Sequence, residues 1–270
     1  MTSNGAMASF DEDTALVETG ERSFRGTVSP RWFVGRGPNG GLLAAQAVRA
    51  MQNLVADPGR VPLSLTVHFL RAPAAGTIEI AGAVERTGRS TTTVSLRIEQ
   101  EGRTVALALG VLAVWRDSVR DHLSLAPPRI APPGDLEPVS PELLGELPAF
   151  IQNYEWRWAV PEAAAGEARV GGWIRTRDDR PIDHISVAAF ADAFPPAVFT
   201  LLGGLPASAP TIDLTIHFRA PLGGSGWVLG SFRSGRVAGG YFEEDGELWG
   251  EDGTLLAQSR QLAILREPEG

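Results

Sequence analysis

Hydrophobic and polar residues alternate along several segments in both halves of the chain. Leu65, Val67 and Phe69 alternate with Thr66 and His68, and the segments 94–98, 105–111 and 255–265 follow the same pattern. Alternation with a period of two predicts antiparallel strands with one buried face, because strands of a buried parallel sheet are continuously apolar. Two longer apolar segments, 40–55 and 184–202, instead predict one helix in each half.

The order of these segments repeats. Residues 65–73 (LTVHFLRAP) resemble residues 214–221 (LTIHFRAP), and each copy has an apolar helical segment before it and alternating strands after it. A sheet with one apolar face needs a cover, which the helix of each half supplies. We therefore predict an α+β fold of two repeats, 1–116 and 151–270, each an antiparallel sheet wrapped around a long helix. Prolines crowd the segment 117–150, which we predict to be a linker.

Composition excludes several kinds of site. The 270 residues contain no cysteine and no lysine, so a disulfide, a cysteine nucleophile and a Schiff-base lysine are excluded. The four histidines show no metal-ligand spacing, and we expect neither a metal nor a cofactor. A net charge of −8 argues against binding to nucleic acid or anionic membranes. No apolar segment is long enough to span a membrane, and the N-terminus does not resemble a secretory signal, so we expect a cytoplasmic protein.

Two motifs suggest sites that their context does not support. Residues 35–40 (GRGPNG) match the dinucleotide fingerprint G-x-G-x-x-G, but no buried parallel strand–helix–strand unit surrounds them. We expect a glycine-rich turn there, with Asn39 capping the first helix. Asp183 and His184 form the best acid–histidine pair, but we expect Asp183 to cap the second helix instead.

Three polar residues occur only in the second repeat. Asp192 lies in the apolar helical segment, Thr211 begins the strand that follows it, and Gln261 lies on the last strand. Aligning the two halves on their His-Phe segments matches Asp192 with an apolar part of the first helix (42–45). It matches Thr211 with Pro62 and Gln261 roughly with Val111.

The residues alone leave the roles of these three side chains open. A carboxylate among apolar neighbours is costly to bury, and burial would raise its pKa toward the range of a general base. Asp192 could equally face solvent or cap the turn at Pro195. Gln261 needs a hydrogen-bond partner, whether structural or catalytic, and threonine is common at the start of a strand.

Several segments resemble the acyl-CoA thioesterase II family. They are residues 39–47 (NGGLLAAQA), 211–214 (TIDL) and 255–261 (LLAQSRQ), and the likeness extends over residues 20–265. This resemblance implies the double-hotdog fold. It also implies that an Asp on the second helix, a Thr at the start of the next strand and a Gln on the last strand form the site, which here are Asp192, Thr211 and Gln261.

The resemblance implies hydrolysis of a fatty or other acyl-CoA thioester, and hence a part in lipid metabolism. Asp192 would act on a water molecule held by Thr211 and Gln261, without a covalent intermediate. Arg219, Arg233 and Arg236 are candidates for the CoA phosphates. Two alternatives remain, a non-catalytic acyl-CoA or lipid-binding protein and an enoyl-CoA hydratase or dehydratase. By analogy with hotdog proteins, we expect a homo-oligomer.

Overall fold

The computed structural model of the protein describes residues 9–116, 120–159, 166–178, 180–202 and 208–266. Four α-helices lie within these ranges: α1 (Phe10–Thr14), α2 (Gly40–Val55), α3 (Pro141–Glu146) and α4 (His184–Phe190). Strands of the first half are β1 (Val17–Gly20), β2 (Ser23–Val28), β3 (Phe33–Val34), β4 (Gly37–Pro38), β5 (Val61–Phe69), β6 (Gly76–Thr87), β7 (Thr91–Gln100) and β8 (Arg103–Ala113). Strands of the second half are β9 (Tyr154–Trp158), β10 (Ala168–Thr176), β11 (Thr211–Phe218), β12 (Val228–Ser234), β13 (Val237–Ala238), β14 (Tyr241–Gly250) and β15 (Leu255–Ile264).

One antiparallel sheet joins the two halves of the chain. Its strand order is β1-β2-β6-β7-β8-β5-β11-β15-β14-β12-β10-β9, with β13 beside β14. Reading outward from the central pair β5–β11, each half presents its strands in the same order. The predicted internal repeat is therefore visible in the strand order, and the two copies meet edge to edge at β5 and β11.

The centre of the repeat falls on a pair of threonines. Thr66 and Thr215 occupy the same position in the two copies of the His-Phe segment, and they pair with each other across β5 and β11. Their hydroxyl oxygens lie 3.0 Å apart. The two copies are thus related by an approximate twofold axis through this pair, so equivalent positions can be assigned from the strand register.

This register refines the alignment of the halves. Leu65 pairs with Gly110 in the first copy, and its equivalent Leu214 pairs with Gln261 in the second. Gln261 is therefore equivalent to Gly110, and the expected match with Val111 is wrong by one position. Thr211 is equivalent to Pro62 as expected, since each lies beside an irregularity at the start of its strand.

The first helix forms as predicted and the second is shorter. Helix α2 spans residues 40–55, and the Asn39 side chain accepts a hydrogen bond from the Gly41 N–H at its start. Helix α4 begins at His184, but it ends at Phe190 instead of continuing to Leu202. Pro195 and Pro196 follow after four more residues, and proline cannot continue a helical hydrogen-bond ladder. A short 3-10 helix, Ala197–Leu201, completes the segment.

The apolar faces of the helices and of the sheet form one main core. Within it, α2 packs on β5, β6, β7 and β8, and its N-terminus lies against the C-terminal end of α4. A Cβ added at Gly41 would lie 2.5 Å from the carbonyl oxygen of Ala189, so only glycine permits this close approach of the two helices. No helix in the described ranges is long and apolar enough to cross a membrane.

Candidate functional site

The Asp192 carboxylate lies at the N-terminus of α2, in the turn after α4. Its Oδ2 accepts hydrogen bonds from the Gly41 N–H (3.0 Å) and from Asn39 Nδ2 (2.9 Å). Asn39 Nδ2 also donates to the backbone oxygen of Asp192. The prediction that Asp192 lies on the second helix is therefore wrong, because that helix ends two residues earlier. Asp192 contacts the first repeat, and it does not cap the turn at Pro195.

Burial dominates the electrostatics of Asp192. The residue keeps partial solvent contact, yet burial of its carboxyl group raises the pKa to about 7, against the opposing effect of its hydrogen bonds from Gly41, Gly40 and Asn39. A carboxyl group with a pKa near neutrality is half ionised at physiological pH, which suits a general base.

Thr211 and Gln261 lie next to each other on neighbouring strands. The Thr211 hydroxyl donates to Gln261 Oε1 over 3.1 Å. Gln261 is 6% exposed, on the face of β15 that turns toward the core, and Thr211 is partly buried at the first position of β11. The hydroxyl and the amide therefore form one polar pair at the edge of an apolar interior.

A third polar residue, Glu244 on β14, extends this pair. Gln261 Nε2 donates to Glu244 Oε1 over 2.9 Å, and the Ala197 N–H donates to Glu244 Oε2. Burial raises the pKa of Glu244 to about 8, and the charges of Asp192 and Asp245 add to this rise. Both carboxyl groups are thus poorly solvated, and the bond to Ala197 ties Glu244 to the backbone that follows Asp192.

The three predicted residues are thus held by two sets of hydrogen bonds. Thr211 and Gln261 bond to each other, whereas Asp192 bonds to Asn39 and Gly41. Glu244 links the sets indirectly, because it bonds to Gln261 and to the backbone five residues after Asp192. Sequence reasoning missed Glu244, although Phe242, Glu244, Gly246 and Leu248 alternate on the inward face of β14 and mark an acid among core positions.

Another polar group absent from the sequence predictions is Tyr154. Its side chain is fully buried between the rings of Trp32 and Phe190, at centroid distances of 5.7 and 5.6 Å. Its hydroxyl has no hydrogen-bond partner among the described residues. Burial raises the pKa of Tyr154, and the charges of Asp192 and Asp13 raise it further. An unpaired hydroxyl therefore belongs to a ring that packs on Phe190, two residues before Asp192.

Asp183 and the glycine-rich segment 35–40 have the structural roles that the sequence predicts. Asp183 accepts from the N–H groups of Ile185 and Ser186 and caps α4. Its neighbour His184 packs edge-on against Phe218, and burial lowers the pKa of its imidazole to about 4. The glycine-rich segment forms the short β3–β4 hairpin before Asn39.

The arginines considered for the CoA phosphates lie at the surface, and the described residues contain no candidate metal centre. No group of three or more His, Asp or Glu side chains that could hold a metal ion lies within the described residues. Arg219, Arg233 and Arg236 are all exposed, and Arg233 lies 3.8 Å from Asp245. Their proposed contact with CoA phosphates stays a prediction.

Comparison with known proteins identifies the family. The profile of the acyl-CoA thioesterase C-terminal domain matches residues 127–265, and that of the acyl-CoA thioesterase N-terminal domain matches residues 28–113. The chain belongs to the acyl-CoA thioesterase family. Its two family domains follow one another in the order of the two repeats, and the second domain contains Asp192, Thr211, Glu244 and Gln261.

Solved structures agree on the fold of this family member. A hot dog fold protein of unknown function from Alicyclobacillus acidocaldarius is 31% identical, with a TM-score of 0.86 over 96% of this chain and 98% of the other. A proposed thioesterase II from Thermobifida fusca is 27% identical, with a TM-score of 0.81 over 96% and 98%. The acyl-CoA thioesterase II TesB2 from Mycobacterium marinum is 22% identical, with a TM-score of 0.79 over 96% and 99%. These neighbours and the large antiparallel sheet indicate a hotdog fold.

Proposed function

We propose that the protein is a double-hotdog acyl-CoA thioesterase that hydrolyses its substrate with a water molecule held by Asp192, Thr211 and Gln261. The repeats would be residues 1–116 and 151–270, joined by 117–150. Membership of the acyl-CoA thioesterase family supports thioester hydrolysis in general. The observation that carries the proposed residues is the bonded chain Thr211–Gln261–Glu244, which is tied by the Ala197 N–H to the segment that follows Asp192.

Ionised Asp192 would remove a proton from the water as it attacks the thioester carbonyl. Its pKa near 7 provides an ionised fraction at neutral pH, and a general base of this kind accelerates hydrolysis about 10²- to 10⁴-fold. The tetrahedral intermediate would then break its C–S bond, which releases the CoA thiolate and the free acid. The water would keep its position through hydrogen bonds to the Thr211 hydroxyl and to the Gln261 amide.

The N-terminus of α2 provides the electrostatic setting for this reaction. Its first N–H groups point at Asp192 Oδ2, and the positive end of the helix stabilises negative charge nearby. The same bonds are what a purely structural Asp192 would make as an anchor for α2. This observation favours the alternative of a protein that binds acyl-CoA or lipid without hydrolysing it, so the experiment must separate the two functions.

The test measures free thiol released from a panel of acyl-CoAs of different chain lengths. We expect hydrolysis by the wild-type protein and a loss of about 10²-fold or more in Asp192→Asn. The matched control is Asp57→Asn, because Asp57 follows the helix of the first repeat, bonds to the Gly59 N–H and is exposed. It should retain full activity.

Each contrary outcome has its own meaning. Binding of acyl-CoA by the wild-type protein without thiol release would establish the non-catalytic alternative. Full activity in Asp192→Asn would remove Asp192 from the mechanism. Thr211→Val should lower turnover about 10-fold, as expected for the loss of one hydrogen bond to the water. Thr215→Val, which removes a hydroxyl from the same strand at the centre of the sheet, should not lower it.

A further inference from the structure

Glu244 is a buried acid without an assigned role. It is 3% exposed on β14, and both of its carboxyl oxygens face N–H donors, Oε1 toward Gln261 Nε2 and Oε2 toward the Ala197 backbone. An acid in the core destabilises a fold unless its partners compensate, so a position filled only for packing would favour an apolar residue. We propose that Glu244 is a positioning residue for hydrolysis, which fixes the orientation of the Gln261 amide and holds the turn that follows Asp192. This proposal rests on the proposed function.

The first part of this role is the polarity of the hydrogen-bond chain. A side-chain amide has one accepting end and one donating end. In its ionised form Glu244 accepts at both oxygens, so Gln261 turns Nε2 toward Glu244 and Oε1 toward Thr211. The Thr211 hydroxyl then donates to Gln261, so its lone pairs remain free to accept a hydrogen bond. Glu244 thereby decides which groups of Thr211 and Gln261 are left for the attacking water.

The second part of this role is to restrain the backbone that follows Asp192. Ala197 begins the 3-10 helix five residues after Asp192, and Pro195 and Pro196 lie between them. Proline restricts the backbone, so a bond at Ala197 limits the movement of the whole turn. Glu244 therefore fastens the Asp192 segment to the strand pair that carries Gln261.

The first repeat supplies an internal comparison for this role. Glu244 pairs with Gln261 in the register of β14 and β15, and the equivalent of that pair in β7 and β8 is Val94 with Gly110. Val94 is fully buried and apolar. The sheet thus accommodates an aliphatic residue at this position, and the acid occurs in the copy that carries the candidate site.

Glu244→Gln tests the proposal, with Asp245→Asn as the matched control. An amide at position 244 has only one oxygen, so it must lose its bond to Ala197 or force the Gln261 amide to turn over. Above pH 8, where Glu244 is ionised, we expect kcat for acyl-CoA hydrolysis to fall about 10- to 100-fold while KM changes less than about threefold. Asp245 is the next residue on the opposite face, and its substitution removes the same charge beside Arg260. Asp245→Asn should leave kcat unchanged.

A second readout does not depend on activity. The side-chain amide of Gln261 can be followed by ¹⁵N NMR, with its signal assigned through its loss in Gln261→Leu. We expect slow exchange of this amide with solvent in the wild-type protein, and faster exchange or a shifted signal in Glu244→Gln but not in Asp245→Asn. If Glu244→Gln does not fold, Glu244→Leu, which removes the acceptor with an apolar side chain of similar size, takes its place with the same expectations.

The outcomes separate this proposal from the proposed function. If the wild-type protein releases no thiol from any acyl-CoA, the proposed function fails, and the NMR comparison alone decides whether Glu244 orients Gln261. If the wild-type protein is active and Glu244→Gln keeps its kcat, or if the Gln261 amide is unaffected, the positioning role is overturned. A purely structural role would lower the melting temperature without separating kcat from KM.

Discussion

The two repeats place opposite chemistry at the same position of the sheet. In the first repeat, the pair Val94–Gly110 is apolar and is covered by Met51 of α2. A Cβ added at Gly110 would lie 2.1 Å from Met51 Cε. In the second repeat, the equivalent pair Glu244–Gln261 is polar and makes its own hydrogen bonds. The same position of the fold therefore holds a tightly packed pair in the first repeat and a hydrogen-bonded pair in the second.

The covering helices of the two repeats differ in length. Helix α2 has 16 residues and α4 has seven. Met51 is the twelfth residue after the cap Asn39, and the twelfth residue after the cap Asp183 is Pro195, in the turn beyond α4. By the same count Asp192 is equivalent to Val48 of α2. Because α4 ends early, no helical residue equivalent to Met51 packs on the Glu244–Gln261 pair, and the turn after α4 contacts it instead through the Ala197 N–H. A shorter helix thus accompanies the change from a packed pair to a hydrogen-bonded pair.

The largest effect on stability is expected when the glutamine of the second repeat is introduced at the equivalent, tightly packed position of the first. Gly110→Gln would place a long amide where Met51 and the Ser64 carbonyl already lie within 3.0 Å of a Cβ. Overpacking and an unpaired buried amide should together lower the free energy of unfolding by about 3 kcal/mol or more. Chemical denaturation of the wild-type and variant proteins measures this difference.

Gly145→Gln is the control for this substitution. Gly145 lies in the exposed helix α3 and has no atom within 4 Å of an added Cβ, so its replacement should not destabilise the protein. A comparable loss of unfolding free energy in both variants would mean that replacing any glycine has this effect. A loss of under about 1 kcal/mol in Gly110→Gln would show that the first repeat has room for a polar side chain at this position.

The sequence predicts the repeated architecture well because the relevant signals are local. Alternation marks β5, β7, β8 and β15, and the His-Phe segments align the two copies. Strands β1 and β10 do not alternate and lie outside the predicted strands. Asn39 and Asp183 cap the two helices as expected. The capping residues are recognisable because a side-chain oxygen satisfies free N–H groups within the same turn.

The contacts around the candidate site depend on residues far apart in sequence. The bond between Asn39 and Asp192 joins residues 153 positions apart, and no periodicity in either segment specifies it. The end of α4 at Phe190 was missed because the apolar character continues into the 3-10 helix, although Pro195 and Pro196 are a visible signal. Glu244 was detectable by its alternation, but its partner Ala197 donates through the backbone, which carries no sequence signature.

A second, smaller effect concerns the pH dependence of stability. Among the positions compared here, only those of the second repeat carry buried carboxyl groups. Burial raises the pKa of Asp192 to about 7 and that of Glu244 to about 8, so the folded protein holds protons that the unfolded chain releases. Their contribution to stability is complete below pH 4 and is lost as pH rises through 7 and 8. His184 acts in the opposite direction, but only below its ordinary pKa of 6.5. We expect the free energy of unfolding to fall by about 2 kcal/mol between pH 6.5 and 8.5.

Denaturation at a series of pH values in Glu244→Gln tests this origin. Removing the ionisable group should flatten the decline above pH 6.5, while Asp245→Asn should retain most of it. A wild-type stability that stays constant or rises across this range would contradict the pH prediction and would mean that the two carboxyl groups are better solvated than their surroundings suggest.

The smallest effect is expected at Tyr154, whose buried hydroxyl has no partner among the described residues. Tyr154→Phe keeps the ring between Trp32 and Phe190 and removes only the unpaired polar atom. Since a buried hydroxyl without a partner destabilises the fold, the free energy of unfolding should stay the same or rise by up to about 1 kcal/mol. Tyr241→Phe is the control, because Tyr241 is the other tyrosine of the chain and is 49% exposed.

The activity of Tyr154→Phe shows whether the Tyr154 hydroxyl takes part in the chemistry of the second repeat. If Tyr154→Phe is as stable as the wild-type protein and as fast with acyl-CoA, the residue belongs to the aromatic packing, and the polar chemistry of the second repeat ends at Glu244, Gln261, Thr211 and Asp192. A stable but slower variant, with Tyr241→Phe unaffected, would extend that chemistry to Tyr154. A destabilised variant would contradict the expectation, since it would mean that the hydroxyl already has a partner in solution, such as a buried water near Asp192.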